Sequence, residues 1–123
     1  METGLTHSTL AVVSESNTAA YIGSGDMAVL ATPAMVALME NAAMLAVESN
    51  LEEGQTTVGS EIQTTHVKPT GVGGKVIATA TLMAVEGRKL TFKVEARDEN
   101  GVIGEGLHVR YVVDRERFLA KLK

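Results

Sequence analysis

Three side chains of the kinds that move protons and attack carbonyl carbons stand out in this sequence: Glu40, Thr32 and His66. Glu40 interrupts a stretch in which 12 of the 16 residues from Ala34 to Ser49 are apolar. A carboxylate buried in such surroundings is costly unless it has a partner. His66, on a later predicted strand, is the best candidate for that partner. Because an imidazole changes its charge near neutral pH, the two side chains could carry out acid-base chemistry.

Thr32 stands at the predicted start of the apolar helix. It precedes Glu40 by eight residues, which is roughly 80° around a helix, so both can share one side of it about two turns apart. We predict that Thr32 is the N-cap and Pro33 the first helical residue. A hydroxyl there lies among free backbone N–H groups that could stabilise charge on a carbonyl oxygen. Thr32 could attack the carbonyl carbon or hold the attacking water, and the sequence does not choose between these roles.

Each of these residues also has a purely structural interpretation. Thr32 could serve only as a helix cap, and His66 could be a satisfied structural residue on a mostly apolar strand face. Glu40 could belong to a narrow polar stripe with Asn41 and Glu48. The residues one turn away from Glu40 favour a protected carboxylate, since all are apolar: Val36, Ala37, Ala43 and Met44. By alternation, His66 is predicted to share its strand face with Val58, Ser60, Ile62 and Thr64.

Gly59 and Arg110 are the candidate substrate-binding residues. Gly59 could ease the twist of its strand, or it could let a substrate approach the backbone. Arg110 could be an ordinary exposed strand residue, or it could hold Glu40 or a phosphate group. The three scattered histidines lack the spacing of a metal site, and the Gly71–Gly74 run precedes a strand, so no metal and no cofactor is predicted.

The predicted elements are one long helix and a series of strands. The helix should end near Asn50, and the first strand spans Leu5 to Val13. After Gly54 the hydrophobic pattern changes to a period of two. Three further segments, 56–67, 75–85 and 102–113, and the alternating run from Leu90 to Arg97 are the later strands. The turns between them are predicted at 86–88 and 98–101, and a short helix at 114–121.

This order predicts an α+β fold in which one antiparallel sheet curls around the helix. A single sheet layer leaves apolar helix surface uncovered, so a homodimer, or a dimer of dimers, is expected. With 123 residues, the chain is expected to form a single domain, residues 1–123.

Composition excludes several classes of function. The net charge of −4 offers no global attraction to nucleic acid. No apolar run approaches the roughly 20 residues that span a bilayer, so no membrane partner is expected. The absence of cysteine removes disulfides and thiolate nucleophiles, and it suits a cytoplasmic protein.

The joint spacing of Thr32, Glu40, Gly59, His66 and Arg110 carries a resemblance to a known family. Around these positions lie five segments: 31–32, 35–40, 58–59, 64–66 and 103–110, with Val85-Glu86-Gly87-Arg88 between the last two. From about residue 5 to the C-terminus the chain resembles the hotdog fold, and more closely the fluoroacetyl-CoA thioesterase-like family. The resemblance implies a dimer of sheets, each wrapped around a central helix.

The resemblance also implies an activity and a set of site residues. In that family a Thr, a Glu and a His form the catalytic group for thioester hydrolysis, and the matching residues are Thr32, Glu40 and His66. A glycine near the thioester and a late arginine match Gly59 and Arg110. The expected function is hydrolysis of a short or medium acyl-CoA; the alternatives are an acyl-CoA-binding module and an enoyl-thioester hydratase or dehydratase. The family's aromatic lid has no counterpart in 23–26, so fluoroacetyl selectivity is not implied.

Overall fold

The fold is an antiparallel sheet of five strands that curls around one long helix, as seen in a computed structural model that describes all 123 residues. The strand order across the sheet is β1-β3-β4-β5-β2, so β1 and β2 are its two edges. The strands are β1 (Thr6–Val12), β2 (Gln55–Thr64), β3 (Lys75–Glu86), β4 (Lys89–Asp98) and β5 (Gly101–Asp114). Every neighbouring pair is antiparallel. The predicted α+β fold, with one antiparallel sheet around a long helix, is therefore confirmed.

The central helix carries the apolar stretch around Glu40. The helices are α1 (Ala19–Ile22), α2 (Thr32–Val47) and α3 (Arg115–Ala120). Helix α2 contacts β1, β2, β3 and β4, so apolar side chains on several of its sides find partners. None of the helices is long and apolar enough to cross a membrane.

The core lies between α2 and the concave face of the sheet. Met35 and Met39 of α2 are fully buried, and Phe92 of β4 is the largest fully buried side chain. Three small residues of β3 and β4 are also fully buried: Ala78, Ala80 and Ala96. The scarcity of aromatic residues is thus matched by a core of aliphatic and thioether side chains packed at close range.

Both predicted hairpins are confirmed. Strand β3 ends at Glu86 and β4 begins at Lys89, with Gly87 at φ +65° in the turn. Strand β4 ends at Asp98 and β5 begins at Gly101, whose φ of +125° favours glycine.

Three boundaries of α2 and β2 differ from the prediction. Helix α2 begins at Thr32 itself, its N-cap is Ala31, and Pro33 is the second helical residue. Thr32 is thus not the N-cap, and its hydroxyl bonds to His66 instead of to the backbone of the first turn. Helix α2 ends at Val47, and a short 3₁₀ turn continues the chain to Asn50. Strand β2 ends at Thr64, so the prediction that His66 lies within this strand was wrong.

A β-bulge in β2 changes which side chains share a face. Gly59 pairs with Arg110, whereas the next paired residue, Glu61, faces Val109, so Ser60 is the extra residue. Ile62 then pairs with His108. Paired residues in an antiparallel sheet lie on the same face.

The bulge therefore corrects the predicted face of His66. Because Arg110 and His108 are two residues apart on β5, Gly59 lies on the same face as Ile62 and Thr64. The alternation that continues to His66 thus groups it with Gly59, and the predicted grouping with Val58 and Ser60 was wrong.

Candidate active site

Thr32 and His66 form a hydrogen-bonded pair at the start of α2. The distance from Thr32 Oγ1 to His66 Nδ1 is 2.8 Å. A hydroxyl and an imidazole at this distance are arranged as a nucleophile and its general base. The first N–H groups of α2, such as that of Ala34, have no partner within the helix, and they carry the positive end of its dipole. The pair therefore lies where a developing oxyanion would be stabilised.

The environment of His66 favours its neutral form. Burial lowers the pKa of His66 below its ordinary value of 6.5, and the backbone carbonyl of Lys68 only partly offsets this. His66 Nε2 is buried and has no hydrogen-bond partner. At neutral pH the imidazole is therefore uncharged, and with Nδ1 unprotonated it can accept the proton of the Thr32 hydroxyl.

Close approach between backbones holds the segment that carries His66. The N–H groups on either side of it bond to β5: Thr65 N to Glu105 O at 3.1 Å, and Val67 N to Ile103 O at 2.7 Å. Gly104 and Gly106 make this approach possible, because a side chain at either position would collide with the backbone of residues 63–65. The Gly-Glu-Gly run of β5 thus fixes the position of the imidazole relative to α2.

A cavity of about 290 Å³ opens beside the pair. Thr32 and His66 form part of its wall, and Ser24 of the loop after α1 forms another part. The other lining residues are Ala19, Val29, Leu30, Val67, Lys68 and Pro69. No aromatic side chain lines it, and the nearby Tyr21 borders a different cavity.

Glu40 belongs to a second cluster, further along α2. A Cβ built on Gly59 would lie 2.9 Å from Glu40 Oε2, 3.2 Å from His108 Cε1 and 3.4 Å from Arg110 Nη1. The carboxylate, the imidazole and the guanidinium thus surround one small space that only a glycine leaves open. Glu40 is half-buried and Gly59 is exposed, so the carboxylate can be reached from outside across the edge of β2.

A chain of hydrogen bonds fixes the basic side of this cluster. Arg110, only 7% exposed, donates from Nε to Thr57 Oγ1 at 2.8 Å and from Nη2 to Thr57 O at 2.9 Å. Its Nη1 lies 3.2 Å from His108 Nε2. His108 Nδ1 lies 2.8 Å from the carbonyl oxygen of Glu61. Burial lowers the pKa of Arg110, and the charge of Glu40 partly offsets this effect.

The structure therefore divides the predicted site residues into two groups. Thr32 and His66 contact each other, whereas Glu40, Gly59 and Arg110 gather about two helical turns away, roughly 12 Å along α2 at 1.5 Å per residue. Glu40 makes no hydrogen bond to His66. Within the chain Glu40 therefore does not orient His66, whereas activation of water by the carboxylate is compatible with this geometry.

His108 is the residue that the sequence did not single out. It is 1% exposed, and the signal that could have found it is its place in β5. By alternation it shares a face with Arg110 and Val112, which makes a buried polar pair on the inner face of the strand. Arg88, in the turn between β3 and β4, lies outside both clusters, and its Nη1 donates to the carbonyl of Val112 at 3.1 Å. No group of three or more His, Asp or Glu side chains is arranged to hold a metal ion.

Comparison with known proteins gives a consistent set of relatives. The family model for the fluoroacetyl-CoA-specific thioesterase matches residues 13–116. The fluoroacetyl-CoA thioesterase of Streptantibioticus cattleyicolor is 43% identical over 95 residues, which are 77% of this chain and 68% of that protein.

Solved structures agree with this result. One of the fluoroacetyl-CoA thioesterase FlK is 36% identical, covers 99% of this chain and 95% of its own, and superposes with a TM-score of 0.92. A thioesterase superfamily member from Thermus thermophilus is 28% identical, covers 98% of this chain and 90% of its own, and has a TM-score of 0.91.

Proposed function

The chain belongs to the fluoroacetyl-CoA-specific thioesterase family, and we propose that Thr32, His66 and Glu40 carry out its hydrolysis of acyl-CoA thioesters. Its fold is the hotdog fold of that family, as the sequence predicted. The observation that supports the assignment of residues most directly is the 2.8 Å contact between Thr32 Oγ1 and His66 Nδ1. It joins a hydroxyl to an uncharged base beside an open cavity.

In the first step, Thr32 Oγ1 attacks the thioester carbonyl carbon while its proton passes to His66 Nδ1. Free N–H groups at the start of α2 stabilise the oxyanion. When the carbon–sulfur bond breaks, the imidazolium returns the proton to the sulfur of coenzyme A. A thiol of pKa about 8.5 is a good leaving group, so a modest acid suffices. The products of this step are the free thiol and an acyl ester on Thr32.

In the second step, a water molecule attacks the ester carbonyl carbon, and its proton passes to Glu40 through water between the two clusters. Glu40 returns that proton by the same route to Thr32 Oγ1 as the bond from the acyl carbon to Oγ1 breaks, so the free acid leaves and Glu40 is again a carboxylate. The opening over Gly59 supports this role, because it gives water access to the carboxylate. Arg110 stabilises the charge of Glu40 from the other side. No cofactor is needed for either step.

The acyl selectivity follows from the cavity beside Thr32. FlK has been solved with acetyl-CoA bound and with fluoroacetate bound. In this chain the cavity has no aromatic wall, so nothing in its lining singles out a fluorinated acyl group. We propose that short and medium acyl-CoAs are substrates, with acetyl-CoA and fluoroacetyl-CoA accepted to within about tenfold of each other in kcat/KM.

The assembly is proposed to be a homodimer, or a pair of such dimers, that acts in the cytoplasm as a single-domain enzyme spanning residues 1–123. Support comes from the half-exposed apolar residues of α2, which the sheet leaves partly uncovered. The absence of cysteine suits a reducing compartment. Sedimentation equilibrium at several concentrations measures the oligomeric state, and a monomer at every concentration would refute the proposed dimer. Cell fractionation tests the proposed location in the cytoplasm.

The test of the function is release of thiol from acetyl-, fluoroacetyl-, butyryl- and octanoyl-CoA, each compared with the same acyl group on a carrier protein. Wild type should release thiol from the CoA thioesters. Thr32→Ala should lose roughly 10²- to 10³-fold of that activity, and Thr32→Ser should keep a tenth or more, because it retains the nucleophile. Equal activity in wild type and Thr32→Ala would remove Thr32 from the mechanism.

A further inference from the structure

Four groups converge on His108, which lies in β5 about two turns of α2 away from the Thr32–His66 pair. They are the carbonyl of Glu61 from β2, the guanidinium of Arg110 from β5, the carboxylate of Glu40 from α2 and the ring of Phe92 from β4, whose centroid is 6.2 Å away. None of the proposed proton transfers uses this imidazole. Its burial in such a polar setting therefore needs another explanation.

The hydrogen bonds of His108 define its protonation state. A carbonyl oxygen only accepts, so the 2.8 Å contact with Glu61 O requires a proton on Nδ1. A guanidinium only donates, so the 3.2 Å contact with Arg110 Nη1 requires a bare Nε2. Only the neutral ring with its proton on Nδ1 meets both requirements. The pKa of His108 is lowered in keeping with this, mainly by burial and further by the charge of Arg110, although the Glu61 carbonyl and Glu40 act in the opposite direction.

His108 also completes the binding of Arg110. Thr57 accepts from Nε and Nη2, which fixes one edge of the guanidinium, and His108 accepts from Nη1, which fixes the other. Nη1 also borders the space over Gly59, since a Cβ built there would lie 3.4 Å from Nη1 and 2.9 Å from Glu40 Oε2. Arg110 and Glu40 face this space without forming an ion pair, and the imidazole is the acceptor that holds Nη1 there.

We propose that His108 is a positioning residue: as a neutral Nδ1–H tautomer it links the Glu61 carbonyl to Arg110 and so holds the guanidinium at the space over Gly59 that the Glu40 carboxylate also borders. This role rests on the proposed function of Glu40 as the base for water. Loss of the link leaves Arg110 bonded to Thr57, but Nη1 loses its acceptor and can shift away from this space. Partners that orient a reacting group from behind are typically worth about 10- to 100-fold in activity.

Two substitutions separate this role from a general packing role. His108→Leu removes both hydrogen bonds. His108→Gln keeps an N–H for the Glu61 carbonyl and an oxygen for Arg110. We expect kcat to fall roughly 10- to 100-fold in His108→Leu, with KM changed less than threefold. In His108→Gln, the decrease in log kcat should be smaller than in His108→Leu by at least a third. His7→Leu, at an exposed position in β1, should match wild type.

Nitrogen-15 NMR of the wild-type protein tests the same idea without activity or mutation. The ring of His108 should remain in the Nδ1–H form from pH 8 to below 6.5, and the Nη protons of Arg110 should be resolved. They should broaden in His108→Leu and reappear in His108→Gln. The opposite tautomer, an imidazolium at pH 7, or a His108→Leu enzyme with kcat within twofold of wild type would overturn the proposal.

The proposed function can fail separately. A wild-type enzyme that releases no thiol from any of the thioesters would refute the function, and the tautomer and the Arg110 resonances would still decide whether His108 positions the guanidinium.

Discussion

The two clusters of the site are held in opposite ways. Thr32 is exposed, and one hydrogen bond joins it to His66 beside an open cavity. Arg110 and His108 are buried and joined by four hydrogen bonds that include Thr57 and the Glu61 carbonyl. The first cluster leaves a buried nitrogen, His66 Nε2, without a partner, whereas the ring nitrogens of His108 are both satisfied.

The difference matches the proposed roles: Thr32 and His66 react, whereas Arg110 and His108 stay fixed around Glu40. A hydroxyl that becomes acylated and an imidazole that gains and loses a proton need freedom and access. A carboxylate that acts as a base gains from fixed charges around it, because these cost no reorganisation during reaction. We therefore expect changes in the first cluster to alter the acylation chemistry and changes in the second to alter the hydrolysis of the acyl ester.

The largest effect is expected from Glu40→Gln. If Glu40 serves only the second step, the variant should release one equivalent of thiol rapidly and then turn over about 10³-fold more slowly than wild type, within the range for loss of a general base. Mass spectrometry should find the acyl group on Thr32. The exposed Glu48→Gln is the control. An acyl group on Glu40 in the wild-type enzyme would reverse the roles of the two clusters.

His66→Ala should reduce kcat/KM by roughly 10²- to 10³-fold and abolish the initial release of thiol. The pH profile gives a second readout. Because burial lowers the pKa of His66, the base stays neutral to below pH 6.5, so wild-type kcat/KM should still exceed half its plateau at pH 6.5 and fall below that. His7→Ala should leave both properties intact. A rapid release of thiol by His66→Ala would place acylation outside the first cluster.

Gly59→Ala tests whether the space bordered by Glu40, His108 and Arg110 must stay open. The added methyl would meet Glu40 Oε2 at 2.9 Å, so the carboxylate must move, and we expect kcat to fall about tenfold, as for a small misplacement of a reacting group. Gly71→Ala is a matched control, because nothing lies within 4 Å of its added methyl and its φ is not positive. Equal effects of the two substitutions on kcat would show that the space at Gly59 is unimportant.

The smallest effect concerns stability. The pKa of His108 is lowered in the folded chain, so the unfolded chain binds more protons once the pH falls below 6.5. Stability from this residue is full above that pH and is lost as the pH falls toward the folded pKa. One proton contributes at most about 1.4 kcal/mol per pH unit. Urea unfolding at pH 7.5 and 5.5 should show a decrease for wild type that is smaller in His108→Gln, and equal decreases would contradict this.

Sequence patterns located the first cluster better than the second. The Thr-Pro start of an apolar helix identified Thr32. The alternation of apolar and polar residues identified the strands and the two hairpins that join β3 to β4 and β4 to β5. Two details at His66 were wrong: strand β2 ends two residues before it, and Gly59 rather than Val58 and Ser60 lies on its face. These features are local, so propensity and alternation determine them.

The second cluster depends on pairing between distant strands. Alternation along β2 could not reveal the extra residue at Ser60, because the bulge exists only relative to β5. For the same reason the convergence of Gly59, His108 and Arg110 around Glu40 was not apparent. The single charged residue in an apolar helix indicated that partners were needed, but the identity of His108 among them came only from the register.

The bulge at Ser60 acts as a one-residue phase shift between two parts of a strand. Removing Ser60 would restore strict alternation and leave Gly59 and Ile62 on one face, because they would then be two positions apart and still oppose Arg110 and His108. A search for similar sites in other sequences should therefore accept a step of three residues after the glycine where a bulge is present and a step of two where it is absent. For design, it means that Gly59 and the segment leading to His66 stay on one surface whether β2 carries the bulge or is shortened by this one residue.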